Sequence, residues 1–203
     1  KRLWKGALEP VMLNGVAVWG KALERKTMVR QMRSVQRKAA LAMTRCFKTT
    51  KAEVALALAG LTPVDLVAKE LVVLQYSHGI LRGRMEEVEV EIPRAYTRRQ
   101  CRGRSWQLWS QEWEALEDGT GMDGGGAKVY LQFMPTLGCL RDKVWRGKAG
   151  GRRVLQLLSG HCNAGGYLAS VKKQESGSCG YCGLEEEDVH HYLLRCPRWY
   201  MQR

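Results

Sequence analysis

Three cysteines and one histidine near the C-terminal end have the residue types and the spacing of a metal site. Cys179, Cys182, His191 and Cys196 follow the pattern C-x2-C-x8-H-x4-C. Thiolates and imidazoles are ligands that zinc prefers, and four of them complete its tetrahedral coordination. Because four protein ligands leave no open position for a reacting water, we expect one zinc ion with a structural role. A group of free thiols is the alternative interpretation, which the module-like spacing disfavours.

His190 competes with its neighbour for the fourth ligand position, because it gives the spacing C-x7-H-x5-C. We favour His191, since a His and a Cys separated by four residues fall within the usual range for zinc ligands. Gly183 suits a tight turn after the second cysteine, where the backbone needs a positive φ. The acidic run 185–188 should begin the helix that carries the last two ligands, because negative charge stabilises a helix N-terminus.

The positive charge of the chain is large and unevenly placed. The net charge is +13, and residues 1–104 carry 21 Lys and Arg against 9 Asp and Glu. An excess of this kind favours phosphate, with nucleic acid as the first candidate partner and an anionic membrane surface a distant second. No apolar run reaches the length of a membrane span, so no membrane partner is expected. The scattered remaining cysteines fit a reducing compartment, either nucleus or cytoplasm.

The clearest helix pattern lies between Leu23 and Phe47. Its apolar stripe is predicted to consist of Met28, Met32, Val35, Ala39, Ala42 and Cys46, which recur every three or four residues. The opposite face is predicted to carry Lys26, Arg30, Arg33 and Arg37, with no acidic residue among them. Such a face either contacts phosphates or is simply solvated, and the pattern alone leaves the two interpretations open.

Further helices are indicated by their end signals. The stretch 50–53 reads as a capping box that opens a helix ending at Gly60, and Thr62 is predicted to cap the next helix. One helical face later in the chain carries Trp106, Trp109 and Trp113, for which a place in the core is favoured over a base-stacking platform. A short strand is predicted over residues 127–133. The fold class is therefore mainly α.

The sequence offers no catalytic residues. Its five aspartates are all separate in sequence, whereas a two-metal polymerase centre needs clustered carboxylates. No nucleophile elbow or Ser/His/Asp arrangement is present. Whether the chain belongs to an enzyme therefore cannot be decided from its own side chains.

Five stretches, in the same order along the chain, resemble the C-terminal third of non-LTR (LINE-type) retrotransposon polyproteins. They are Pro10–Trp19, Val35-Gln-Arg-Lys38, Thr49–Leu66, Leu158-Ser-Gly-His161 and Cys179–Trp199. The Val-Gln-Arg-Lys helix and the Cys-Pro-Arg-Trp ending are fairly specific. The sequence most resembles the insect clade of type-1 elements that insert into ribosomal RNA genes.

The resemblance implies a helical thumb-like segment of a reverse transcriptase at residues 1–80 and a charged linker at 81–104. A small connector of mixed structure, mainly helical, would follow at 105–175, and a CCHC zinc knuckle at 176–203. Palm and fingers domains upstream in the same polypeptide would carry the paired aspartates and the magnesium ions. A further upstream domain would nick the target DNA.

The expected function is that of a nucleic-acid-binding part of an RNA-directed DNA polymerase with an endonuclease, acting in target-primed reverse transcription. Its partners would be the element RNA and the target DNA. Since stacking rings and cations hold unpaired bases, the expected contacts in the knuckle are Tyr181, Tyr192, Arg195, Arg198 and Trp199. The alternative is a zinc-stabilised helical module that binds other proteins and has little affinity for polynucleotide.

Overall fold

The computed structural model describes residues 1–78, 97–116 and 151–203, apart from the side chain of Arg152. The predicted strand at 127–133 and the linker residues 81–96 lie outside these ranges. The described α-helices are α1 (Glu9–Leu13), α2 (Val16–Trp19), α3 (Lys26–Thr44), α4 (Ala52–Ala59), α5 (Val64–Ser77), α6 (Arg98–Glu114), α7 (Gly151–Leu158) and α8 (Gly165–Ser170). None of these helices is long and apolar enough to cross a membrane.

Short helical turns of other types complete the described part. They are two π-turns, Trp4–Leu8 and His191–Arg195, and two 3-10 segments, Gly20–Glu24 and Pro197–Gln202. Within the described ranges the only β-type pairing outside helices is an isolated antiparallel bridge between Ser178 and Glu186. The prediction of a mainly α-helical fold is confirmed.

One hydrophobic core joins the helices on both sides of residues 79–96. Buried members range from Trp4 and Val16 through Leu56 of α4 to Trp109 of α6 and Leu155 of α7. Since burial of apolar surface is the main favourable term in folding, these helices stabilise one another across the predicted linker. The proposed division between a thumb-like segment and a connector is therefore not a division of the core.

Helix α3 presents a different face to the core than its sequence predicts. Its buried residues are Met32, Gln36, Ala40 and Thr44, whereas Val35 is 50% exposed and Ala42 is also exposed. The prediction was wrong at these two positions because polar residues of α3 are buried in their place. Gln36 and Thr44 can face the core because each has hydrogen-bond partners there. Gln36 donates to the Thr62 carbonyl at 2.8 Å and accepts from the Val64 amide at 2.9 Å. Its amide therefore satisfies backbone groups at the start of α5.

Two of the predicted caps are also corrected. Helix α4 begins after Lys51 without any side-chain cap, and the Thr50 hydroxyl instead lies 3.1 Å from Nδ1 of His161. Helix α5 begins after Pro63, with Gln36 in the role expected of Thr62. The predicted stop of α4 is confirmed, since Gly60 adopts a positive φ of 60°, which glycine allows without strain.

Helix α6 begins inside the segment predicted to be a charged linker. Thr97 and Gln100 form a capping box, so residues 98–104 are helical. The tryptophan prediction is confirmed, because Trp109 and Trp113 are buried in the main core with their rings 6.0 Å apart, edge to face. Trp106 is partly buried against the same core.

Candidate metal centre and nucleic-acid interface

The structure brings the four predicted ligands together into one group, here called the Cys3His cluster: Cys179, Cys182, His191 and Cys196. One candidate ligand atom from each lies within 4.8 Å of the others. Cys179 Sγ lies 3.8 Å from Cys196 Sγ, and Cys182 Sγ lies 3.4 Å from His191 Nε2. A tetrahedral zinc ion with Zn–S bonds of about 2.3 Å separates its sulfurs by roughly 3.8 Å. The cluster therefore has the donor set and the dimensions for one tetrahedral metal ion.

His191 belongs to the cluster and the neighbouring His190 does not. The backbone explains the choice. The π-turn His191–Arg195 closes with a hydrogen bond from the Cys196 amide to the His191 carbonyl at 2.8 Å, which places both side chains on one side. The spacing argument that favoured His191 thus agrees with the geometry.

A tight turn positions the first two cysteines. The Gly183 amide donates to the Cys179 carbonyl at 2.8 Å, and Gly183 has a φ of 66°. A β-carbon there would be strained, so the expected need for glycine is met. The Cys179 amide in turn donates to the Glu185 carbonyl at 2.9 Å, which folds the following segment back under the cluster.

Electrostatics favour the thiolate form at Cys179. Hydrogen bonds from the Cys182 and Tyr181 amides lower the pKa of this thiol to about 6, because they stabilise the negative sulfur. At Cys196, burial raises the pKa, since it disfavours the charged form. Burial also opposes the charge of His191, but hydrogen bonds to Cys179 and Glu185 outweigh it and raise its pKa. Metal binding requires deprotonated ligands, and the lowered pKa of Cys179 favours it.

Glu185 supports the histidine ligand from behind. One of its carboxylate oxygens lies 3.1 Å from His191 Nδ1 and 3.2 Å from Arg195 Nε. A carboxylate at this nitrogen keeps the proton on Nδ1 and leaves Nε2 free to bind a metal, as is usual for histidine ligands of metal ions. Sequence reasoning treated the acidic run only as helix-terminal charge and missed this role. The signal was a carboxylate a few residues before a ligand histidine.

A second acidic residue attaches the cluster to the preceding helices. Glu187 accepts a hydrogen bond from the Gly165 amide at 2.7 Å through its side chain and from the Gly166 amide at 3.1 Å through its carbonyl. Its other carboxylate oxygen is 4.0 Å from Cys179 Sγ. A small apolar group also joins the two parts: Cys162, Ala164, Val189, Leu157 and Leu193. The start of α8 is therefore packed directly on residues 179–196, here called the metal module after their four candidate ligands.

The connecting region, here residues 159–167 from the end of α7 into α8, contacts the turn between α3 and α4. His161 Nδ1 lies 3.3 Å from the Thr49 hydroxyl, and its ring stacks obliquely on Tyr167 with centroids 5.0 Å apart. The Tyr167 hydroxyl is 2.9 Å from the Thr49 hydroxyl, and its ring also contacts Phe47. Burial lowers the pKa of His161, which favours a neutral imidazole that accepts from the hydroxyls.

The predicted nucleic-acid contacts near the cluster separate into two groups. Tyr181, Tyr192, Arg198 and Trp199 line one cleft beside the cluster. Arg195 points elsewhere and pairs with Glu185 and Asp188 at 3.2 and 3.9 Å. The structure therefore places four of the five predicted residues together, whereas Arg195 supports the metal module.

The predicted basic residues of α3 line a second concave surface, here called the basic groove. Its volume is about 630 Å³, and it is lined by Lys26, Arg30, Arg33 and Arg37 together with Lys69 of α5. Two acidic residues, Glu24 and Glu53, also line it. Basic residues from two helices thus converge, which a single-helix pattern could not reveal.

Two of the four cations are engaged inside the chain. Arg33 pairs with Asp65 at 2.7 Å and with Glu112 at 2.9 Å. Arg37 donates to the Thr50 carbonyl at 2.7 Å and also to the Lys48 carbonyl. Lys26 and Arg30 are exposed and have no ion-pair partner among the described residues. The predicted phosphate contact therefore rests on Lys26 and Arg30, while Arg33 and Arg37 hold neighbouring segments in place.

A helical core with a closed Cys3His cluster at one end is the architecture of a small metal-knuckle module attached to a larger helical body. Comparison with known proteins shows which proteins the chain is similar to. The chain is 27% identical over 209 residues to a retrovirus-related Pol polyprotein from type-1 retrotransposable element R1 4 of Nasonia vitripennis. It is 26% identical over 190 residues to an R1 Pol polyprotein of the same organism and 25% identical over 200 residues to one from Bradysia coprophila.

These similarities cover between 91% and 96% of the chain. They support the interpretation of the chain as part of a non-LTR retrotransposon Pol polyprotein of the R1 type. The chain spans about half the length of the two Nasonia relatives, 47% and 52%, and 19% of the Bradysia relative. No family model and no solved structure matches the chain.

Proposed function

We propose that the chain is the nucleic-acid-binding part of a retrotransposon RNA-directed DNA polymerase that acts in target-primed reverse transcription. The observation that carries this proposal is the similarity to R1 Pol polyproteins along at least 91% of the chain. The basic groove and the aromatic cleft beside the cluster supply the surfaces that binding to a polynucleotide requires. Element RNA and target DNA are the proposed partners.

In this proposal residues 1–80 act as the thumb-like segment, and residues 176–203 act as the knuckle. Palm, fingers and endonuclease domains of the same polyprotein would perform the chemistry, and magnesium would be bound there. The intact protein would work in the nucleus and cytoplasm. The net charge of +13 supports a polyanionic partner.

We further propose that the Cys3His cluster holds zinc. Three thiolates and one imidazole suit a borderline-soft cation, and all four positions are filled by protein. The ion would fix the fold of residues 179–196 and leave no coordination site for catalysis. Replacing His191 with Ala should abolish stoichiometric zinc, whereas His190→Ala should retain it. Equal zinc contents in the two purified variants, measured by atomic emission, would contradict the proposed ligand set.

The basic groove can be tested through the salt dependence of binding. Each phosphate contact contributes about 0.9 to the slope of log affinity against log salt on duplex DNA. The double variant Lys26→Met, Arg30→Met should therefore reduce the magnitude of the slope by about two units. It should weaken the binding of all nucleic-acid sequences to the same extent. Lys38→Met is the matched control, because Lys38 is an exposed cation of α3 outside the groove. An unchanged slope in the double variant would show that the face is only solvated.

A second candidate function is a zinc-stabilised module that binds other proteins. The observation in its favour is a set of exposed apolar side chains around the knuckle, among which Leu184 is 84% and Met201 is 87% exposed. This function predicts zinc-dependent folding with little affinity for polynucleotide at physiological salt. Direct titration of the zinc-loaded chain with labelled single- and double-stranded oligonucleotides separates the two functions.

A further inference from the structure

A second cationic surface lies where the N-terminal turn of the chain meets the first turns of α6. Its side chains come from two segments that are far apart in sequence, Lys5 from the first and Arg98, Arg99 and Arg102 from the second. All four residues are exposed. None of them lines the basic groove. This set of four cations is here called the α6 patch.

Two buried carboxylates lie beneath the α6 patch. Glu70 of α5 is 7% exposed, and Arg102 Nε lies 3.8 Å from its carboxylate. Glu9 accepts a hydrogen bond from Lys5 Nζ at 2.7 Å. Burial raises the pKa of Glu70, and the charges of Arg102, Arg98 and Lys5 oppose that rise. Because these three cations act on one carboxylate, the N-terminal turn and the start of α6 form one surface.

The α6 patch carries more positive charge than the chain itself neutralises. Its four cations face two carboxylates, and one of the two, Glu70, is paired only at 3.8 Å. The side chains of Arg98 and Arg99 have no hydrogen bond or ion pair with any residue that the structure describes. An exposed group of cations without internal partners attracts polyanions.

Arg98 and Arg99 also stand at the end of α6 where positive charge is least favourable. They are the first two residues of the helix, and its first turn contains no acidic residue. The helix dipole places partial positive charge at this end, so cations there cost stability. The fold therefore gives no reason for these two side chains, whereas a bound anion would offset the charge of both.

The α6 patch and the basic groove lie towards opposite ends of α6. Arg33, which lines the groove, contacts Glu112 near the C-terminal end of the helix, and Arg102 lies near its N-terminal end. Since an α-helix rises about 1.5 Å per residue, Glu112 and Arg102 are roughly 15 Å apart along the axis. The patch is therefore a separate surface and not an extension of the groove.

We propose that the α6 patch binds phosphates of a nucleic-acid backbone at a second site, in addition to the basic groove. Arg98 and Arg99 contact the phosphates, while Lys5 and Arg102 are held by the carboxylates beneath them. The inference rests on the proposed function and adds to it a second contact surface, in a segment whose sequence indicated only a charged linker. Contacts to phosphate carry no sequence information, so this surface is expected to bind all sequences alike.

The test measures how binding to duplex DNA depends on salt. It uses the chain that already carries Lys26→Met and Arg30→Met, so that binding at the basic groove does not mask the patch. Adding Arg98→Met and Arg99→Met should reduce the magnitude of the slope of log affinity against log salt by about two further units, because each phosphate contact contributes about 0.9.

A matched control removes the same charge elsewhere. Lys38→Met with Arg153→Met is suitable, because both residues are exposed cations that belong to neither surface. In the same background this pair should leave the slope unchanged. An equal fall in slope in the control and patch variants would mean that only net charge is sensed, which would overturn the inference.

Urea unfolding distinguishes a binding role from a structural one. Removing Arg98 and Arg99 takes positive charge from the start of α6, so the unfolding midpoint of this double variant should be no lower than that of the wild-type chain. A lower midpoint together with weaker binding would mean that the two arginines hold the fold, and the inference would then be wrong.

The remaining outcomes separate the inference from the function on which it rests. If the wild-type chain binds no duplex DNA even at low salt, the proposed function itself fails. If the wild-type chain binds but the patch variant keeps the slope of its background, the inference is wrong and the proposed function remains with the basic groove. Vesicles of equal parts phosphatidylcholine and phosphatidylserine test the other polyanionic surface. Loss of vesicle binding in the patch variant, with an unchanged slope on DNA, would assign the patch to a membrane instead.

Discussion

Arg33 of α3 and Asp65 of α5 form a two-pronged ion pair, with Nε to Oδ1 at 2.7 Å and Nη2 to Oδ2 at 2.8 Å. The same guanidinium contacts Glu112 of α6 at 2.9 Å. Burial alone would lower the pKa of Arg33, but the hydrogen bonds to Asp65 and Glu112 more than reverse this and raise it. A single cation thereby joins three helices, two of which are separated by residues 79–96.

Replacing Arg33 with Met should destabilise the chain by about 3 kcal/mol, because it leaves the buried Asp65 carboxylate without its partner. The measurement is urea unfolding followed by circular dichroism. Arg30→Met is the matched control, since Arg30 is exposed on the same helix, and its effect should stay within about 0.5 kcal/mol. Similar unfolding midpoints for the two variants would mean that the ion pair contributes nothing to the fold.

Replacing Glu185 with Ala should weaken zinc binding by about 10- to 100-fold, because His191 loses the carboxylate that orients its ring and holds its proton. Competition with a chromophoric chelator measures this affinity. Glu175→Ala removes an exposed acidic residue just before the cluster and should leave the affinity unchanged. A wild-type affinity in the Glu185 variant would refute the supporting role.

Stability should depend on pH through His161. Its pKa is lowered in the folded state by burial, so the unfolded histidine binds a proton first as the pH falls. The stabilising contribution is complete above the ordinary histidine pKa of about 6.5 and is lost as the pH falls below it towards the folded pKa. The His161→Gln variant has no titrating group at this position. Its stability relative to wild type should therefore rise as the pH falls through this window. Zinc-loaded samples of both forms are compared by urea unfolding, and a difference that is independent of pH would contradict the prediction.

Replacing Gly165 with Ala should disturb the contact between α8 and the metal module. An added β-carbon would lie 3.1 Å from the Gly177 carbonyl oxygen and 3.1 Å from the Glu187 carboxylate, closer than such contacts normally allow. Because one of these neighbours is backbone, we expect a loss of about 1–3 kcal/mol in the free energy of unfolding. A β-carbon on Gly180 meets nothing within 4 Å, so Gly180→Ala is the control. Equal stability of the two variants would show that the contact is loose.

The sequence predicted the Cys3His cluster well because its ligands lie within 18 residues and local turns bring them together. The tryptophan face was predictable for the same reason, since helical spacing alone places Trp109 and Trp113 on one side. Long-range partners were not visible. Gln36 is buried because it bonds to groups 26 and 28 residues further along, and no local pattern announces such a pairing.

The basic residues illustrate the same limit. Their spacing indicated one cationic face on α3, but Arg33 and Arg37 are engaged by Asp65, Glu112 and the carbonyl groups of residues 48 and 50. Charge is read from a sequence residue by residue, whereas neutralisation depends on which segments the fold brings near. The role of Glu187, which accepts the amide of Gly165, was missed for the same reason, because the two residues are 22 positions apart.

The contacts of the connecting region form an unbroken series from the basic groove to the metal cluster. Arg37 holds the Thr50 carbonyl, the Thr50 hydroxyl meets His161, and Glu187 ties the start of α8 to the cluster. Such a series should hold the basic groove and the Cys3His cluster at a fixed separation. If a single strand binds across both, the number of nucleotides between the two surfaces should be constant.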